Sequence, residues 1–269
     1  MIKTFKQIIR EHIDYKKQIL KLSKMELKKD YKGSALGWLW AIIKPATTIF
    51  VYWFSFTIGL RIRADVNGYP FFLWLIAGII PWFYMKEMLT DGARALRKNS
   101  YLVTKTRFPI STIPTIISIS KFAVHTVLVV IMVIIFTLFG YFPDLYVLQV
   151  VFYMIALFVF FTIWGVFSSL ITVVNKDFIH FIKSITTGIF WLSGILWNID
   201  TINIIWLRRF LMLNPVTFIT NGFRNCFINK IWFWEQPKRL MYFVIITMLL
   251  LLVTILVYKK LRKEITDLL

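Results

Sequence analysis

The sequence predicts an all-α membrane protein, and three observations carry that reading. Hydrophobic residues make up 58% of the 269-residue chain and aromatic ones 18%, with a mean hydropathy of +0.70. A soluble domain holds about 45–50% apolar residues. The apolar residues also come in blocks long enough for a membrane helix of about 20 residues. Positive charge, finally, is segregated by segment.

The blocks predict spans near 36–60, 69–90, 110–139, 146–174 and 240–258. A sixth block, Ser184 to Trp197, is apolar but too short to cross unaided. The first 32 residues hold no apolar core run, so a cleaved signal peptide is not expected. Residues 1–33 are read as an N-terminal segment and 34–269 as one polytopic domain.

Each element follows from local pattern. Ile2, Phe5, Ile9, Ile13, Leu20 and Leu27 recur at roughly helical spacing among lysines. That pattern suits a helix lying in the inner membrane interface, and equally one packed on a partner protein. In "YKGSALGWLWAIIKP", Ser34 can cap a helix, Gly33 and Gly37 permit a bend, and Trp38 and Trp40 suit the headgroup level. Asn67-Gly68 signals a turn, and Gly78 with Pro81 predicts a kinked second span. From Asp91 to Phe108, Leu96, Tyr101, Leu102 and Val103 sit among cations. They fit a short helix pressed into a groove of a cytoplasmic partner, or a connector lying on the membrane.

"GYFPD" is a short turn between the third and fourth spans, and "NKDFIHF" a small inner loop after the fourth. Region 184–239 reads as a broken membrane helix followed by an amphipathic helix, "INIIWLRRFLML", at the outer surface. Non-helical backbone at membrane depth survives only beside protein or a water-filled path, which points to a conduit.

The formal charge of +19 has to be placed before it is interpreted. Of the 32 Lys/Arg, 22 lie in the N-terminal segment, after the second and fourth spans, or at the C-terminus. An even number of crossings puts all of them on one side, and the positive-inside rule makes that side cytoplasmic, with both termini. The charge then reports topology and contact with anionic lipid, without need of nucleic acid. The single cysteine, Cys226, allows no internal disulfide.

The thirteen Asp/Glu fall outside the predicted spans or at their ends, which argues against a proton-driven carrier and against an enzyme with clustered metal-binding acids. The three histidines lack partners at metal-ligand spacing, and there is no phosphate-binding G-x-x-x-x-G-K-[ST] loop. No catalytic, metal or cofactor site is expected on this chain. ATP and magnesium would belong to another polypeptide. Lys121 and His125 share a face of the third span, and an intramembrane lysine is a candidate functional residue or a snorkelling one. Lys44, followed by Pro45, lies about 13 Å along its helix from Ala35. It either meets a lipid diphosphate arriving sideways or reaches the inner headgroups. The tryptophans suit a belt and core, and also a smooth wall for sugar rings.

Five stretches, "LKKDYKGSALGWLWAIIKP", "PFFLWLIAGIIPWFY", "NSYLVTKTRFPIS", "NKDFIHFI" and "LNPVTFITNGFR", span almost the whole chain in order. Together they resemble the permease subunit of ABC-type exporters of cell-surface polysaccharides. The run from Val51 to Trp82 looks most like the wall teichoic acid branch. Asp30 departs from the family, which usually has a basic residue there, and "NKD" replaces an arginine-aspartate pair. The resemblance implies a homodimer of six-helix subunits bound to two ATPase subunits, exporting an undecaprenyl-diphosphate-linked polymer. It implies a coupling helix at Asn99 to Arg107, with Tyr101, Leu102, Val103 and Lys105 inside it, and an ATPase-facing loop at Lys176 and Asp177. Lys32, Lys44 and Arg97 would receive the lipid diphosphate. Trp38, Trp53, Trp82, Trp191 and Lys121 would line the glycan path and lateral gate beside a broken fifth helix. Outer gate helices near Asn203 to Leu213 would bring in Arg208, Arg209, Asn214 and Pro215. O-antigen or capsule export is the alternative cargo. A drug or lipid permease and an integral-membrane enzyme of envelope glycan assembly are the rival functions.

Overall fold

The computed structural model describes residues 1–60, 65–106, 108–262 and 264–268. Among them the chain is helical apart from turns and one isolated bridge, Val66 to Tyr69, which closes a two-residue turn at Asn67 and Gly68. Both turn residues have positive φ (54° and 79°), the geometry that Asn-Gly supplies most readily.

Eleven helices carry the architecture: α1 (Ile2–Asp14), α2 (Lys16–Tyr31), α3 (Trp40–Phe54), α4 (Phe71–Lys98), α5 (Ser100–Thr104), α6 (Ile113–Leu138), α7 (Val150–Val174), α8 (Phe178–Leu192), α9 (Ile205–Met212), α10 (Pro215–Arg224) and α11 (Pro237–Leu261). Among the described residues, five helical stretches are long and apolar enough to cross a membrane: Gly37–Gly59, Phe71–Lys98, Ile110–Leu138, Leu145–Val174 and Pro237–Leu261. Against the six spans that the resemblance implies stand these five and the shorter apolar α8. With 15 residues, α8 is only about 22 Å long.

Two expectations change at helix ends. The N-terminal segment is two helices, broken at Tyr15, where a single helix over 2–27 was expected. The second span runs unbroken through Pro81 to Lys98, so residues 91–98 continue α4 and do not begin a separate connector.

α4 is the axis of the bundle. Leu73, Leu75, Ile76, Ile79, Met85 and Met88 on it are fully buried, against α6, α7, α8 and α10. Lipid tails are as apolar as leucine, so close backbone approach and interhelical hydrogen bonds hold such helices together. Gly92 of α4 faces Gly165 of α7 so closely that a Cβ on Gly92 would lie 3.2 Å from the Cα of Gly165. Tyr84, Ser118 and Thr162 tie α4, α6 and α7 in a hydroxyl chain of 2.7 and 2.6 Å. By contrast α3 is almost wholly peripheral, with Phe50, Val51 and Phe54 exposed.

Side-chain contacts define two ends. At the basic end Glu26 accepts from Lys98 at 2.5 Å, Glu11 accepts from Ser111 and from Tyr258, and His12 lies 2.9 Å from Thr115. These polar residues dock α1 and α2, while Ile2, Phe5, Ile9 and Ile13 face away from the bundle. At the opposite end Asn67 donates to Asn229 at 2.8 Å, Gln149 donates to the Ile231 carbonyl at 2.9 Å, and Lys230 pairs with Asp144 at 2.8 Å.

Candidate functional site: a cavity beside the third helix

A cavity of about 580 Å³ opens between α3, α4, α6 and α8, closed at the basic end by Asp30 and Tyr31 of α2. Its volume falls within the ordinary range of ligand sites, about 300–1,000 Å³. One wall is aromatic. Phe190 of α8 lies 5.3 Å from Trp82, 5.5 Å from Tyr52 and 5.6 Å from Trp191, measured between ring centroids. Trp191 is half exposed, and the Trp197 indole donates to its carbonyl at 2.8 Å, folding the chain back at the end of α8.

The other wall is ionic and carries more carboxylates than paired lysines. Lys121 of α6, 9% exposed, places its Nζ 2.8 Å from Asp30 and 3.6 Å from both Glu87 and Asp91. Burying a cation is costly unless it is paired and hydrogen-bonded. Three carboxylates from α2 and α4 meet that need, and Lys98 joins Asp30 to Glu26. The sequence reading placed the acids outside the spans or at their ends. The longer α4 instead draws Glu87 and Asp91 into the bundle, so the exclusion of a carrier cannot rest on missing acids. These acids are engaged in holding Lys121 and α2. Their four-residue spacing on one helix face was the signal for it. Tyr31 lies beside them, and its phenol is raised above its usual range by burial and then by the charge of Glu87.

The cations left open to a ligand are Lys44, whose Nζ lies 5.9 Å from the Trp40 ring, and Lys86. Both are exposed, and neither has a carboxylate within ion-pair distance among the described residues. Pro45 leaves the Ala41 carbonyl without its helical donor. Thr48 nonetheless bonds the Lys44 carbonyl at 3.0 Å, and α3 continues past the proline. His125, one turn beyond Lys121, is buried beside Tyr84 and Phe122 on the deep wall. Neither ring nitrogen has a partner among the described residues.

The remaining expected residues divide among other places. Trp53 packs edge-on against Phe72 outside the cavity. Trp38 and Lys32 line a second cavity of about 880 Å³ at the basic end, together with Asn99, Tyr101 and Leu102. Arg97 does not face either cavity. It donates to the Thr172 and Val173 carbonyls, both at 2.7 Å, and so caps the end of α7. In and around α5, Leu102 and Val103 turn inward and Asn99 bonds back to the Ala95 carbonyl, whereas Tyr101 (52% exposed) and Lys105 face out. Arg107 lies outside the described residues. Lys176 and Asp177 form an exposed turn between α7 and α8.

At the opposite end, Asn214 caps α10 by accepting from the Val216 amide at 2.9 Å and donates to Ser193 at 2.8 Å, with Pro215 in the first helical turn. Arg208 reaches the Asp200 carbonyl at 3.4 Å, and Arg209 is exposed. Sequence reasoning read Arg224, with Arg208 and Arg209, only as an outer-side cation leaning toward a polyanionic cargo. Arg224 is buried, stacks 3.4 Å from the Trp74 ring centroid, and donates to the Gly194 and Ile195 carbonyls at 2.7 and 2.6 Å. Gly78 makes room for it, since a Cβ there would lie 2.4 Å from the guanidinium. Gly194 turns the chain with φ +65°. Together they end α8 inside the bundle.

A family model described as ABC-2 type transporter matches residues 17–228, most of the chain. The chain belongs to that family. The O-antigen export system permease protein RfbA of Myxococcus xanthus is 25% identical over 222 residues, covering 82% of this chain and 84% of that protein. The protein of the same name from Klebsiella pneumoniae is 32% identical over 93 residues, or 35% and 34% of the two chains. The ABC-2 match takes in α3, α4, α6 and α8, the four helices around the cavity.

Proposed function

We propose that this ABC-2 chain is the membrane subunit of an ATP-driven exporter of lipid-linked polysaccharide, acting as a homodimer with two ATP-binding subunits. The observation that carries this reading is the cavity. It couples an aromatic wall suited to sugar rings with an ionic wall in which three carboxylates hold Lys121, and it leaves Lys44 and Lys86 at its rim for a diphosphate. Lys32 sits at the neighbouring cavity near the same end. The basic end is the cytoplasmic one by the positive-inside rule. Tyr101, Lys105, Lys176 and Asp177 are exposed there for the ATPase. The broken unit α8–α10 serves as the fifth of six membrane helices, and the amphipathic α9, with Trp206 and Phe210 exposed, gates the outer exit.

The cargo reading moves from teichoic acid toward an O-antigen type of polymer. The names of the relatives favour it, and so does the state of the cations. Arg208, Arg209 and Arg224 were the residues that leaned toward a polyanion. Arg224 is spent on the Gly194 and Ile195 carbonyls, and Arg208 leans on Asp200. Reconstitution with the ATP-binding subunit tests the function. Lipid-linked neutral oligosaccharide should cross the vesicle membrane only with ATP, and replacing Trp82 by alanine should slow it at least several-fold. ATP turnover without any movement of the glycan lipid would refute the proposal.

A further inference from the structure

In a chain that is 58% hydrophobic, the end opposite the basic helices holds a cavity of about 490 Å³ with an unusual wall. Five asparagines, Gln236, Asp200, Arg224 and Arg239 line it, and the apolar contribution is Trp74 with Ile228 and Ile231. These residues come from the Asn67 turn, the segment after α8, the end of α10 with its π-helical continuation Asn225–Asn229, and the approach to α11. No single stretch of sequence shows the cluster.

Part of the wall is wired together. Asn67 donates to Asn229, and Asn229 donates to Asn225 at 2.9 Å; Arg239 bridges Gln236 at 3.2 Å and Asp200 at 3.5 Å. That wiring fixes the orientation of the amides. Part of the wall is not used. The partly exposed Asn221 side chain, which lines the cavity, makes no hydrogen bond among the described residues. Its amide is therefore free to donate to and accept from a ligand that displaces water from the cavity.

We infer that this cavity is a binding site for a neutral sugar residue, separate from the cavity beside α3. Fixed amides and a carboxylate present paired donors and acceptors to neighbouring hydroxyls, and a site built that way rejects molecules without them. The engagement of both guanidiniums, and not the net charge of the wall, favours a neutral ligand over a polyol phosphate. Asp200 is offset by Arg239, and the guanidinium of Arg224 is committed to two carbonyls. The inference rests on the exporter reading for its purpose, which is to hold the emerging glycan at the far end of its route. Its chemistry stands by itself.

The test titrates the purified full-length chain in detergent with free neutral pentasaccharides (hexose, deoxyhexose and N-acetylhexosamine) and with a glycerol-phosphate pentamer, read by saturation-transfer NMR. At least one neutral pentasaccharide should bind, and Asn221→Leu should weaken it about tenfold with an unchanged unfolding temperature, because Asn221 has no partner to lose. Asn225→Leu provides a second variant from the buried side of the same wall. Preference for the glycerol-phosphate pentamer, binding indifferent to Asn221, or no binding of any neutral pentasaccharide would each overturn the inference. ATP-driven transport that persists alongside such a failure leaves the exporter reading standing. Asn221-dependent binding without transport would sink that reading and keep this one.

Discussion

Lys121 is the residue on which the basic half of the bundle turns. Removing its charge leaves Asp30, Glu87 and Asp91 facing one another with Lys98 as the remaining nearby cation. Breaking one side of a buried pair costs several kcal/mol, and the partial exposure of the acids reduces that here to about 2 kcal/mol. Lys121→Ala should therefore lower the thermal unfolding temperature of the detergent-solubilised chain by several degrees, and adding Asp30→Asn should restore part of the loss. Lys44→Ala, at an exposed cation without an ion-pair partner among the described residues, should leave the unfolding temperature in place and slow glycan-lipid export. An equal loss of stability in both variants would remove the distinction between a structural and a ligand-facing lysine. The intramembrane lysine was visible in the sequence, but its partners were not. They lie 91, 34 and 30 positions away, and the predicted end of the second span at residue 90 cut Asp91 off from its own helix.

Two elements carry the proposals for how the chain is powered and where it breaks. In α5 the inward Leu102 and the outward Tyr101 give opposite expectations. Tyr101→Glu should cut recovery of the ATP-binding subunit in co-purification several-fold at normal yield of this chain. Leu102→Glu should lower the yield itself, because a carboxylate would enter the largely apolar wall of the cavity at the basic end. Equal behaviour of the two would contradict the inward–outward assignment. The stretch "NSYLVTKTRF" shows apolar residues among cations, yet a five-residue helix is too short for periodicity to say which of them faces in. In the broken unit α8–α10, Arg224→Met would free two buried carbonyls and cost about 3 kcal/mol. The expected result is a lower unfolding temperature with export abolished, both measurable on the same preparation. The shortness of α8 was legible from residues 184–197. Its terminator was not, because an arginine 30 residues downstream supplies it.

For the whole molecule, five spans emerge within a few residues of where the sequence put them, apart from the second, which overruns to Lys98. A run of about 20 apolar residues is a physical requirement of the bilayer and needs no tertiary information. The cavities do need it. They are assembled from α2, α3, α4, α6 and α8 at one end and from four separate loops and helix ends at the other. The central claim is an orientation: the end bearing α1, α2 and α5 faces the cytoplasm and the ATPase, and the asparagine-lined end faces out. The one native cysteine, Cys226, is buried, so with Cys226→Ser as background, single cysteines at Tyr101 and Phe142 can be probed with a membrane-impermeant maleimide. The account predicts that Phe142→Cys is labelled in intact cells and Tyr101→Cys only after permeabilisation. Labelling of Tyr101→Cys in intact cells, with Phe142→Cys protected, would invert the topology and contradict the account.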